Sequence, residues 1–77
     1  MVRRNIIGQQ VRIARLKAKP AITQADLAAR LQVGGLQIER VTISKIETGY
    51  REVTDMEVFA IAKALGVTIS WLYGEQR

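Results

Sequence analysis

Thr23-Gln24-Ala25-Asp26-Leu27-Ala28 and, further along, Arg40-Val41-Thr42-Ile43-Ser44-Lys45-Ile46-Glu47-Thr48-Gly49 are the two stretches on which the fold turns. In the first, the Thr23 hydroxyl can accept from the backbone N–H of Asp26, whose carboxylate then sits in the positive first turn of a helix. Leu27, Ala28 and Leu31 supply its buried face, and the helix is expected to end near Gln32. In the second stretch, Ile43 and Ile46 lie three apart and share one face, which predicts a short helix over Arg40–Glu47. Gly49 follows its end, where a left-handed residue is wanted. Between the two, Val33-Gly34-Gly35 reads as loop, because paired glycines cost a helix about 2 kcal/mol relative to alanines.

The flanking sequence extends the same pattern. Ile7, Val11, Ala14 and Ala18 recur at helical spacing and predict a helix from about Ile6 to Lys19, ended by Pro20. Thr54-Asp55-Met56-Glu57 is a capping box that opens a fourth helix. That helix carries Val58, Phe59, Ile61, Ala62 and Leu65 and is closed by Gly66. Thr68 caps a last short helix over Ile69–Tyr73, before Gly74. Nothing reads as a strand. The expectation is an all-α chain, a compact bundle of five helices in one domain spanning 1–77.

Composition narrows the chemistry. The chain has 77 residues, 48% hydrophobic and 25% charged, with no Cys and no His. Thiolate and imidazole metal sites, Cys nucleophiles and His acid–base chemistry are thereby excluded. Ser44 and Lys45 are adjacent, so they point about 100° apart on a helix and make no catalytic dyad. No catalytic residue, cofactor, metal or small-molecule substrate is expected. The apolar run Ile6-Ile7 is cut by Gly8, so no membrane segment is expected either, and the lack of cysteine fits a reducing cytoplasm.

Lys and Arg total 12 against 7 Asp and Glu, a net charge of +5. The surplus is uneven: residues 1–51 hold 10 basic and 3 acidic side chains, residues 52–77 hold 2 and 4. A basic front of this kind suits a face turned toward a polyanion. Two short helices joined by a turn, the second flanked by basic residues, are the parts of a helix-turn-helix. Its close helix crossing requires a small residue in the first helix, here Ala28. Its second helix requires inward β-branched residues, here Ile43 and Ile46, which leaves Arg40, Val41, Ser44 and Lys45 outward. A helix in the major groove can read base edges, because each base pair shows a distinct donor and acceptor pattern there.

Thr23-Gln24-Ala25-Asp26-Leu27-Ala28, Thr42-Ile43-Ser44-Lys45-Ile46-Glu47-Thr48-Gly49 and Ala62-Lys63-Ala64-Leu65-Gly66-Val67 together resemble the Cro-type, lambda-repressor-like helix-turn-helix family, also called the xenobiotic response element family. The resemblance covers roughly residues 6–74. It implies a five-helix transcriptional regulator of bacteria or their phages that binds double-stranded operator DNA, usually as a homodimer and commonly as a repressor. Carried over by position, Arg40, Val41 and Lys45, with Ser44, are the base-contacting residues. Gln24 corresponds to a glutamine that contacts a phosphate and braces the recognition helix. Tyr50 and Arg51 follow the turn glycine, where the family touches the sugar-phosphate backbone. Glu47 corresponds to a glutamate paired with a first-helix arginine, for which Arg15 is the candidate and Lys17 the competitor.

This chain departs from the family between Leu31 and Ile43, where the turn is longer and Gln32 stands in place of a turn glycine. Gly34-Gly35 is expected to make a wider bend, with Leu36 and Ile38 packing back on the core. The angle of the recognition helix is left open by this insertion. Arg3 and Arg4 are either an arm that reaches DNA or a frayed end. Two rival functions share the fold: an antitoxin-type regulator that binds a partner protein through the Trp71–Tyr73 end, and a protein-binding adaptor without DNA binding.

Overall fold

Among the described residues, three of the five helices begin on a threonine whose hydroxyl accepts a backbone N–H three residues on: Thr23 from Asp26, Thr54 from Glu57 and Thr68 from Trp71. At the first two, the acidic side chain returns the bond to the threonine N–H, so both capping boxes are closed. The computed structural model describes residues 3–75; residues 1–2 and 76–77 of the expected domain lie outside the described residues. The elements are α1 (Gly8–Lys17), α2 (Gln24–Val33), α3 (Arg40–Glu47), α4 (Asp55–Leu65) and α5 (Ile69–Leu72). The fold is all-α, with no strand among the described residues. None of these helices is long and apolar enough to cross a membrane.

α2 packs on α3 and α4, and α1 lies across α3. Ile7 and Val11 of the first segment, Leu27 and Leu31 of α2, Ile43 and Ile46 of α3, Ile61 of α4 and Leu72 of α5 meet in one buried core. Gly66 closes α4 as expected, in the left-handed region with φ of 72°.

The sequence-based boundaries need four corrections. α1 starts at Gly8 rather than Ile6, because the Asn5 carboxamide oxygen accepts from the N–H groups of Ile7 and Gly8 and so holds the chain before them in a turn. It stops at Lys17, not Lys19: Ala18 is already extended (ψ 152°), and the chain folds back so that Ile22 donates to the Arg15 carbonyl and is buried. Val33 is the last residue of α2 rather than loop, and it is 90% exposed. α5 ends at Leu72 rather than Tyr73, which is its C-cap. On α4, Phe59 is 60% exposed. Val58, Ile61 and Ala62 define the inward stripe of α4, and Phe59 falls beside it.

The lengthened turn is built as expected. Gly35 adopts φ of 100°, which an L side chain would resist, and Leu36 donates back to the Leu31 carbonyl at 2.9 Å. Ile38 is fully buried and Leu36 packs partly against the core. Gln32 closes the bend by donating its side-chain amide to the Ile38 carbonyl at 2.9 Å. These contacts set where α3 begins.

Candidate nucleic-acid interface

α3 has two unlike faces. Ile43, Ile46 and Glu47 are buried, while Arg40, Val41 and Lys45 are exposed and Ser44 is half-buried. Residues 40, 41, 44 and 45 follow the spacing of a single helix face, so these side chains share one open surface. Val41 is an apolar residue 51% exposed at a helix start and lies outside the buried core.

The opposite face is anchored through Glu47. A carboxylate in the last turn of a helix opposes the dipole and needs compensation when buried. Arg15 supplies it, donating from Nε to Oε2 at 2.6 Å and from Nη2 to Oε1 at 2.9 Å. The Arg15 Nη1 also donates to the Ile22 carbonyl at 3.0 Å. Hydrogen bonding to Glu47 raises the Arg15 pKa above its ordinary value, against the opposing effect of desolvation. Gln24, the first residue of α2, donates its side-chain amide to Glu47 Oε1 at 3.1 Å. One carboxylate therefore joins α1, α2 and α3, and Lys17 remains exposed outside this junction.

Close approach tightens the α1–α3 contact further. A Cβ on Gly8 would lie 2.3 Å from the Ile46 carbonyl oxygen and 2.9 Å from that of Glu47, so only glycine allows α1 to start against the end of α3. Composition had shown Gly8 only as a break in an apolar run. Its position at a helix start is the signal that could have flagged it.

Tyr50 is 62% exposed just past Gly49, itself at φ of 86°. Arg51 is differently situated. Its two terminal nitrogens meet the Glu57 carboxylate at 2.9 and 3.0 Å, and Nη1 also donates to the Glu52 carbonyl. The Arg51 hydrogen bond, helped by the Thr54 backbone, holds the Glu57 carboxyl below the ordinary carboxylate value. Glu57 thus serves both the cap of α4 and the loop that follows α3.

Asn5 is a second residue of this region that sequence reasoning missed. Besides holding the turn before α1, its side-chain amide donates to the Ile46 carbonyl at 3.0 Å and to the Arg51 carbonyl at 2.8 Å. Asparagine is among the strongest helix-capping residues, so an Asn just before an apolar-periodic segment was the available sign. Its bridge to residues more than forty positions away was not.

The helix-turn-helix family model matches residues 11–72, which takes in the whole of α2, the long turn and α3. No curated protein and no solved structure gives a significant match.

Proposed function

Because the chain belongs to the Cro-type, lambda-repressor-like helix-turn-helix family, and is a DNA-binding transcription regulator of that type, we propose that it is a sequence-specific repressor inserting α3 into the major groove of an operator. The family is regulatory and not catalytic. The observation that carries the proposal is the outward face of α3, with Arg40, Val41 and Lys45 exposed and Ser44 half-buried among them, on a helix whose other face is fastened by Arg15 and Gln24. Arg40 and Lys45 present donors suited to guanine edges, Val41 an apolar contact for a thymine methyl, and Ser44 a short polar group. Gln24, at a helix N-terminus, and the Tyr50 hydroxyl hold phosphates on either side. Arg51 contacts phosphate through its Nε–H, since both of its terminal nitrogens bond the Glu57 carboxylate.

The chain acts as a single domain in the cytoplasm and binds as a homodimer, each copy reading a half-site about one helical turn from the other. Phosphate contacts supply much of the affinity, which falls steeply with salt. Selection of bound sequences from random duplex DNA tests the proposal. An enriched inverted repeat is the expected result. Failure of the folded chain to retain any duplex at low salt would refute it.

A second reading has one observation in its favour. Ile69 of α5 and Tyr73 at its C-cap are both exposed, although Trp71 between them packs against the core. An antitoxin-type regulator would cover them with a partner protein, and co-purification of a specific partner chain that Tyr73→Ser releases would support it.

A further inference from the structure

Residues 3–5 are not a free arm. The Arg4 backbone N–H donates to the Gly49 carbonyl at 2.8 Å, and the Asn5 side chain ties the next residue to Ile46 and Arg51. The Arg3 side chain lies over Gly49, with Cγ and Nη1 both 3.1 Å from where a Cβ would stand. Residues 3–5 are thereby fixed against the end of α3.

This docking brings Arg4 to a shallow recess shared with Thr42, Lys45, Tyr50 and Arg51. Glu52 also lines it, and Glu57 pairs with the Arg51 charge. Among the described residues, neither Arg4 nor Lys45 has an ion-pair partner. Two exposed cationic residues therefore line one concave surface together with Thr42, Thr54 and Tyr50. Lys45 belongs at the same time to the outward face of α3. A cation cluster immediately beside a groove-reading helix lies where the sugar-phosphate backbone must run if that helix is in the groove.

We propose that this recess takes one phosphodiester of the DNA backbone, with Arg4 as its principal ligand and Asn5 as the positioning residue that holds Arg4 there. The proposal rests on the DNA-binding reading above and adds to it a contact from outside α2, α3 and the loop after α3. Fixing the segment in advance removes most of the ordering cost that a flexible arm would incur on binding.

Duplex DNA of random sequence, titrated with the full chain by fluorescence anisotropy at a series of salt concentrations, tests it. Losing one phosphate contact lowers the slope of log K against log salt by about 0.9, so each tenfold dilution of salt gains about eightfold less affinity. Arg4→Ala is expected to show this loss on random and selected duplexes alike, with unchanged base preference. Its backbone bond to Gly49 and its thermal unfolding should be retained, since the side chain is exposed. Lys63→Ala is the control for general charge, because Lys63 lies in the groove between α2 and α4 and not in this recess. It should leave the slope in place, and Asn5→Ala, provided it folds, should lower it as Arg4→Ala does. An unchanged slope for Arg4→Ala, or an equal loss for Lys63→Ala, overturns the phosphate site while leaving the functional reading intact. Absence of salt-dependent binding by the unsubstituted chain overturns both.

Discussion

The Arg15 guanidinium and the Glu47 carboxylate form a two-pronged pair, with 2.6 and 2.9 Å bonds, buried at the junction of α1 and α3. Because Gln24 joins the same carboxylate, the pair fixes the recognition helix against both helices that support it. Removing one partner of a buried pair leaves an uncompensated charge and costs about 3–5 kcal/mol. A domain of this length has only about 4–12 kcal/mol in total. Arg15→Met is therefore expected to unfold most of the way at room temperature in modest urea. The double variant Arg15→Met/Glu47→Leu should recover part of the loss, because no orphan charge remains. Urea denaturation followed by circular dichroism measures both, and equal stabilities for the single and double variants would contradict the assignment.

Gly8→Ala reverses an ordinary rule. Alanine in place of glycine within a helix usually stabilises by about 1 kcal/mol. Here the new Cβ would meet the Ile46 and Glu47 carbonyl oxygens at 2.3 and 2.9 Å, both backbone atoms that cannot swing aside. A net destabilisation of about 1–3 kcal/mol is expected, visible as a lower urea midpoint. A raised midpoint would mean that α1 and α3 are not in this contact.

Glu57 makes stability depend on acid. Its carboxyl is held below the ordinary value of 4.5 chiefly by hydrogen bonds from Arg51, so the folded state binds its proton less readily than the unfolded state. Its contribution is fully present above the unfolded value and is lost as pH falls through the lower folded one. The raised pKa of Arg51 titrates far above this range and does not enter. Thermal unfolding should show the original chain more stable than Glu57→Gln at pH 6. That gap should narrow steadily below about pH 4.5; a gap constant down to pH 2.5 counts against the pair.

Arg40 should separate binding from folding. As a cation in the first turn of α3 it opposes the helix dipole, and its exposed side chain packs against little. Arg40→Ala is expected to hold or slightly raise the thermal midpoint. On the selected duplex it should cost about 1–3 kcal/mol and relax preference at one base position. Anisotropy titrations on a panel of single-base variants measure the effect. Undiminished preference at every position would remove Arg40 from the reading face.

Much of this molecule is local and was therefore visible in its residues. Thr23 with Asp26, Thr54 with Glu57, and Thr68 each act within one turn, so their caps follow from order along the chain alone. The span of α3 is equally legible, since Ile43, Ile46 and Gly49 mark its inward face and its end within ten residues. The all-α fold and family follow from the same short-range signals.

Relations between distant segments had to wait for packing. Arg15 and Lys17 were both open to Glu47; the choice is made by the rotation of α1, which buries Val11, Ala14 and Arg15 and turns Lys17 outward. Phe59 is apolar enough for a core, yet the orientation of α4 leaves it exposed. Gly8, Asn5 and Arg4 acquire their significance only because residues 4–8 lie against the end of α3. Periodicity and capping are properties of neighbours in sequence. Which face meets which, and how closely two backbones approach, is set by how all the helices fill one core together.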